Sequence, residues 1–497
     1  MTSTIVEKNP VYWYYGSASI SIGIKNNAFS YLLLIYSTQV LGIPGYWASI
    51  ALGIAMLWDA VTDLFLGHWS DKTQSRLGRR HPFMYAGLLL LPISFYALFN
   101  PIIDLDETNR WFYVLGAAIL IRTGVTLTEV PSIALLPDLV KDYDERNKWL
   151  VLRHAFGWYG GNGIHVINMA IWVGAYGFTV QTGYGIYGLC GAILIALSVL
   201  VSSLGTQKVA AALPQPSEPF RIGEIWTEMK QIGQSLKNDN FWWLFVYSLI
   251  VGAAGGLGTA LYLYNVSYFF EFSGEQIAVT GLFVFASPAI AYWLAPKLGL
   301  MLGKKPSAIA AILAAIFLYP IPYILTLSGF WPTSGSWESC IIYSFFVLSE
   351  VVGFIVGGVM LDSMMADIVE DSEIKTDRRS EGLFYAARSF AAKAVSAMGI
   401  FIAGFIVTMV GLDGIKDVAD MTDAMRFDLA SFFLPIYCGL YLLGLYLISK
   451  YRIDRATHNA NLDSLSRKSQ QARDADQVSV GSHGAMDFSD DGDSGTS

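Results

Sequence analysis

Apolar residues in this chain neither alternate nor return every third or fourth place. They run on for about 18 positions or more at a time, enough for a helix to cross a hydrocarbon layer about 30 Å thick. Twelve such runs start near Val11, Tyr46, Pro82, Trp111, Leu150, Gly183, Phe241, Gln276, Pro306, Glu338, Gly382 and Met425. The longest internal polar stretch, residues 205–240, holds Pro214, Pro216 and Pro219 and separates six runs from six. The pattern predicts an all-α polytopic membrane protein. Residues 1–204 form an N-terminal six-helix bundle, 205–240 a cytoplasmic linker, 241–450 a C-terminal six-helix bundle, and the Ser-, Asp- and Gly-rich 451–497 a disordered cytoplasmic tail. Within the linker, residues 222–236 mix polar and apolar positions like a helix lying on a membrane surface. The first run is long, carries Lys25 and lacks a small-residue cleavage pattern, so it is expected to remain as a span.

Composition agrees with burial in lipid: 54% of the residues are hydrophobic and only 14% charged, against about a quarter charged in soluble proteins. The net charge of -8 comes largely from the acidic tail and does not point to nucleic acid. The expected partners are a lipid bilayer and a small-molecule solute. Sorted by alternate loops, Lys and Arg fall 17 to 3, with only Arg110, Lys416 and Arg426 on the poorer side. The positive-inside rule then puts both termini in the cytoplasm of a cell whose inner membrane holds the chain. Cys190, Cys340 and Cys438 lie far apart in apolar segments and read as packing residues, with no metal or disulfide spacing.

Charged residues inside the runs are the candidate chemistry, because each costs on the order of 3 kcal/mol in a bilayer unless it faces a cavity or a partner. In the second run, Asp59 and Asp63 stand four apart, on one helical face, with Thr62 beside them. In the fourth, Arg122, Thr126 and Glu129 are spaced by four and three and share a stripe. Counting about 1.5 Å per residue puts Asp59 and Thr126 at nearly equal depth, so one cation site draws on both runs. Carboxylates and a threonine hydroxyl suit sodium or a proton relay, not a transition metal. The competing reading of Asp59 and Asp63 is a structural pairing with a neighbouring base, and Glu129 is equally suited to being held by one. Basic residues at membrane depth are Lys25, Arg122, Arg153, Arg388 and Lys393. Arg388 and Lys393 stand about 140° apart around a helix, so at most one faces a given spot; Glu350 and Asp362 are natural partners for the other. Arg153 lies near a helix start, where snorkelling to the interface competes with a site role.

The stretch from Gly67 to Pro82, Gly-His-Trp-Ser-Asp-Lys-Thr-Gln-Ser-Arg-Leu-Gly-Arg-Arg-His-Pro, resembles the loop between helices two and three of the major facilitator superfamily. Together with Trp58-Asp59-Ala60-Val61-Thr62-Asp63, with Thr128-Glu129-Val130-Pro131, with Glu145, Arg146 and Arg153, and with the stretch from Glu373 to Lys393, it is similar to the glycoside-pentoside-hexuronide:cation symporters, the family of the melibiose permease. The resemblance implies the major facilitator fold of twelve helices and cation-coupled symport, with sodium or a proton as coupling ion and no other cofactor. It further implies that Asp59, Thr62, Asp63 and Thr126 stand at the cation site, Asp59 and Asp63 being its metal ligands if sodium is used. Glu129 and Arg153 would stand at the sugar-binding pair, and Lys393 near the cation carboxylates.

Four positions depart from the sugar permease. Glu129 replaces an Asp, Thr62 an Asn, Ile133 an aromatic residue, and the acid expected in the first helix is missing beside Ser21, Lys25, Asn26 and Asn27. Melibiose itself is therefore not the expected solute. Lys25 and Arg122 would instead favour a negatively charged one, such as a uronic acid or glucuronide. Opposite charges in residues 70–80 and 367–381 are available to latch the bundles in the outward-open state, although topology signalling explains the same Lys and Arg. The main alternative is a cation-dependent carrier of an amphipathic lipid. A membrane enzyme is not expected, since there are no paired His residues, no nucleophile elbow and no metal spacing.

Overall fold

The computed structural model describes residues 10–101, 106–140, 142–213, 239–376, 397–415 and 417–453, with 457, 464 and 467. Its long helices are α1 (residues 10–40), α2 (Gly45–Lys72), α3 (His81–Phe99), α4 (Glu107–Ala134), α5 (Tyr143–Ile171) and α6 (Gln181–Ala211). After the linker come α7 (Asp239–Phe269), α8 (Gly274–Met301), α9 (Lys304–Leu327), α10 (Trp337–Thr376), α11 (Ala397–Val410) and α12 (Asp423–Ser449). Nine of these are long and apolar enough to cross a membrane among the described residues. A helix satisfies every backbone donor and acceptor within itself, which hydrocarbon demands. The expected start at Gly382 and the surface helix at 222–236 lie outside the described residues, as do Arg388 and Lys393.

Several helices begin earlier than their apolar runs because polar caps extend them. The Asp106 carboxylate accepts from the Asn109 amide, so α4 starts four residues before Trp111. Asp142 does the same for Glu145, starting α5 seven residues before Leu150. Ser273 and Gln276 form a reciprocal capping box at α8. The 40 residues of α10 span about 60 Å, twice the hydrocarbon thickness, so one end projects beyond the bilayer.

Helices α1, α3 and α6 pack together, as do α3 with α4, α2 with α4, and α1 with α5. In the second half α8 and α9 pack on α10, and α7 and α9 on α12. The halves meet where α5 lies against α8 and α1 against α7. Two π-helical turns, Ala28–Leu32 and Tyr36–Val40, interrupt α1, and a third, Asn265–Phe269, ends α7. Within the first turn, the Tyr31 ring of α1 lies 5.5 Å from Tyr262 of α7.

Among the described residues, the closest contacts between the halves sit at the end remote from the basic loops. Thr38 shares a hydrogen bond with Tyr264, and the Gln39 side chain donates to the Leu412 carbonyl. The Gly45 amide donates to Asp413 at 3.2 Å and the Tyr46 amide to the Thr408 hydroxyl at 3.0 Å. Here the helix backbones nearly touch: a Cβ on Gly404 would stand 2.3 Å from the Gly45 carbonyl oxygen. At the basic end the ion pairs stay inside each half among the described residues. Arg79 bonds Asp138, Arg80 bonds both Asp71 and Asp138, and Lys304 bonds Asp367 at 2.6 Å. Of the charges expected to latch one bundle to the other, Asp71, Arg79, Arg80 and Asp367 make these bonds within a bundle, and the part of that latch from 377 to 381 lies outside the described residues.

Candidate functional site

Asp59 is the anchor of the site. Its carboxylate, 1% exposed, accepts from the Thr126 hydroxyl at 3.2 Å and from the Arg122 guanidinium at 3.4 Å. The Thr62 and Thr126 hydroxyls lie 3.2 Å apart. Helices α2 and α4 are pinned alongside by Trp58, whose indole donates to Thr123 at 2.9 Å. The equal depth read from the sequence thus becomes direct contact between Asp59 and Thr126.

Oxygens about 3.2 Å apart are spaced as neighbouring ligands of a single hard cation with bonds of about 2.4 Å. Asp59, Thr126 and Thr62 supply three such atoms, and Asp63, half-buried one turn on, adds a second carboxylate to the same face. The donor set fits sodium, and Asp59 alone would serve a proton. No cluster of three His, Cys, Asp or Glu side chains suited to a metal occurs among the described residues.

The structure brings some of the residues expected to meet solute close to Asp59 instead. Arg122 is buried, bonded to Asp59 and stacked 4.3 Å over the Phe29 ring of α1, which places its charge beside Asp59. Lys25, also buried, lies one turn before Phe29. Glu129 is half-buried and within electrostatic reach of Arg122, and it forms no hydrogen bond or ion pair among the described residues. Arg153 is not paired with it. The Arg153 guanidinium donates to the Ser132 hydroxyl at 2.7 Å and lies 5.3 Å from the Tyr15 ring centre. A simple snorkelling role does not describe a side chain buried between α1, α4 and α5. Lys393 lies outside the described residues.

Ser132, Phe29 and Tyr15 did not stand out in the sequence. Ser132 follows Glu129 by three, one step further along the stripe of Arg122, Thr126 and Glu129, and that spacing was available as a signal. The two aromatic residues carry no such mark among the many in apolar runs. Glu350, read as a natural partner for a basic residue of the eleventh run, accepts from the Tyr437 hydroxyl at 2.7 Å, while Arg388 and Lys393 lie outside the described residues.

Removing the hydroxyl from Thr126 leaves Asp59 short of one donor and the candidate cation site short of one oxygen. A buried hydrogen bond to a charged group is worth about 1.5–3 kcal/mol, so Thr126→Val is expected to weaken cation affinity roughly tenfold or more. Cation-dependent tryptophan fluorescence of the purified protein checks this, and an unchanged affinity would remove Thr126 from the site.

The sequence profile of the MFS/sugar transport protein family matches residues 14–455. An uncharacterized symporter of Synechocystis sp. is 24% identical, over 89% of this chain and 94% of its own. The isoprimeverose transporter of Lactiplantibacillus pentosus is 21% identical over 82% and 83%. The sodium-dependent lysophosphatidylcholine symporter 1 of Gallus gallus is 21% identical over 91% and 89%. In fold, the inward-open xylose transporter XylE from E. coli superposes with a TM-score of 0.59 at 14% identity, covering 92% of this chain and 99% of its own. The chain is a multi-pass membrane transporter rather than an enzyme, and it belongs to the MFS/sugar transport protein family, the glycoside-pentoside-hexuronide:cation symporters of the major facilitator superfamily.

Proposed function

We propose that the protein couples a cation held by Asp59, Thr62, Asp63 and Thr126 to the movement of a glycoside or uronide, contacted by Glu129 and Arg153. The observation that carries this reading is the hydrogen-bonded string from Thr62 through Thr126 to Asp59, which ties α2 to α4. Helix α4 then continues through Glu129 to Ser132, where Arg153 is bonded. A cation that orders this string sets the position of the solute contacts, and the solute has the reciprocal effect on the cation. Pro131 lies between Glu129 and Ser132; lacking an amide hydrogen, it leaves the α4 ladder open to adjustment at that point.

Charge favours an anionic solute. Among the described residues, Lys25, Arg122 and Arg153 balance Asp59, Asp63 and Glu129, so one bound cation leaves a surplus of +1 there for a carboxylate to offset. The basic end is taken as cytoplasmic, in a cell inner membrane with both termini inside. Close contact of the halves at the other end then makes this an inward-facing arrangement, from which rocking exposes the site to the other side. Residues 1–204 and 241–450 serve as the rocking bundles, joined by 205–240, with 451–497 as a cytoplasmic tail.

The test is uptake into proteoliposomes of matched neutral and uronate glycosides under imposed sodium or proton gradients. A gradient-driven preference for the uronate is expected, and equal uptake of the neutral glycoside would remove the anionic assignment. The second reading, an amphipathic lipid solute, is supported by Ile133, 45% exposed on α4, and by the similarity to a lysophosphatidylcholine symporter. It predicts that lysophosphatidylcholine, below its micelle concentration, displaces the glycoside.

A further inference from the structure

The second half contains an acid that the α2 and α4 cluster does not use. Glu350 lies thirteen residues along α10 from Trp337, about 20 Å inward, a depth matching that of Asp59 from the start of α2. Its Oε1 accepts from the Tyr437 hydroxyl at 2.7 Å, and no basic side chain bonds it among the described residues. The Tyr437 ring is stacked 4.6 Å from Tyr319 and packs on Phe433 at 5.4 Å. Among the described residues, the titratable groups within electrostatic reach of the carboxyl are phenols: Tyr31 of α1, Tyr262 of α7, Tyr319 and Tyr323 of α9, and Tyr437 and Tyr441 of α12. Tyr343, on α10 itself, completes the set.

A carboxylate at membrane depth needs a compensating positive charge, and among the described residues, which do not include Arg388 and Lys393, this one is met by phenol hydroxyls and aromatic edges. The side chain is only half-buried, so it is not sealed into the core of the helix packing. We propose that Glu350 is a proton-binding site of the second half, separate from the cation site on α2 and α4. The step is acid–base only. The carboxylate takes one proton from the aqueous side to which it is open, becomes the neutral acid, and returns that proton when it is next open to water. Tyr437 serves both forms, donating to the carboxylate and accepting from the acid.

Proton binding is also tied to the arrangement of the halves. Tyr31 belongs to the first half, packs against Tyr262 of the second and against His165 of α5, and lies within electrostatic reach of Glu350. Rocking the halves apart at that end withdraws Tyr31 and changes the polarity around the carboxyl. This inference rests on the chain being a transporter with two arrangements, not on the solute or on Asp59 as the cation ligand.

Infrared difference spectra of the protein in lipid, between acidic and alkaline buffer, test it directly through the carbonyl band of a protonated carboxyl. The expected result is a pH-dependent band that disappears in Glu350→Gln and persists in Asp59→Asn. A band unaffected by Glu350→Gln, or lost in both variants, overturns the proposal. Should Glu350→Gln fail to fold, Tyr437→Phe supplies the second arm: a displaced midpoint for the same band supports the site, and an unmoved one rejects it. If Glu350→Gln loses the band while glycoside uptake is undetectable in every protein, the proton site stands and the solute reading fails separately.

Discussion

Asp59→Asn is expected to reduce gradient-driven solute accumulation at least ~100-fold, because it removes an anionic ligand and unpairs a buried guanidinium together. Breaking a buried ion pair by removing one partner costs about 3–5 kcal/mol, and tenfold in affinity corresponds to about 1.4 kcal/mol. Here the partner is Arg122, sandwiched between Asp59 and the Phe29 ring. The same change should therefore lower the melting temperature, which leaves two explanations for lost transport. The double variant Asp59→Asn with Arg122→Gln separates them. Two neutral amides of similar size remove the uncompensated charge, so thermal stability should recover while gradient-driven accumulation stays lost. Recovery of accumulation with stability would make Asp59 a structural partner of Arg122, and the cation site would have to be sought elsewhere.

Gly404→Val is expected to drive the halves apart at the end where they now touch. The added Cβ would sit 2.3 Å from the Gly45 carbonyl oxygen and 2.4 Å from the Ser49 hydroxyl, both on α2. Close-packed helices do not absorb an overlap of that size without moving, and the neighbouring contact of Gly174 with Gly274 gives no slack on the other flank. A cysteine placed at Thr38, in a background with Cys190, Cys340 and Cys438 replaced, reports the separation. Its labelling by a membrane-impermeant maleimide should accelerate at least ~10-fold in the valine variant, a population shift of about 1.4 kcal/mol. Asp413→Asn weakens the bonds from Gly45 and Thr408 and should shift labelling in the same direction by less. Unchanged labelling in both would show that this contact does not govern access.

The span pattern and the α2/α4 cluster were legible for one reason: hydrocarbon leaves little freedom in either. A helix must be apolar along its length, and a charge within it needs a reason, so Asp59, Asp63, Arg122, Thr126 and Glu129 stood out against their surroundings. Helical spacing then gave their shared faces. Partner choice was less legible, because it depends on the rotation of each helix against its neighbours. Arg122 could be placed on the right stripe, but not with Asp59 in preference to Glu129. Arg153 and Ser132 met across a junction between helices that spacing along one chain segment does not describe. The π-helical turns were invisible as well, since they are set by packing of α1 and α7 rather than by any residue type that marks them. Helix starts were misplaced wherever a polar cap such as Asp106 or Asp142 lengthened a helix beyond its apolar run.

Those wide turns in α1 and α7 have a consequence for how the chain tolerates change in length. Each closes its hydrogen bonds one residue later than an α-turn, so it carries one residue that the straight helix does not require. Deleting a single residue from 28–32 would let the turn revert to the ordinary pitch with everything beyond it still in phase, whereas the same deletion from the regular stretch 10–27 would swing what lies beyond it by about 100° around the axis. In that second case Thr38 would leave Tyr264, and Gln39 would leave Leu412, although neither residue had been altered. Point substitutions sample the chemistry of this transporter, whereas one-residue deletions in α1 would sample its phase.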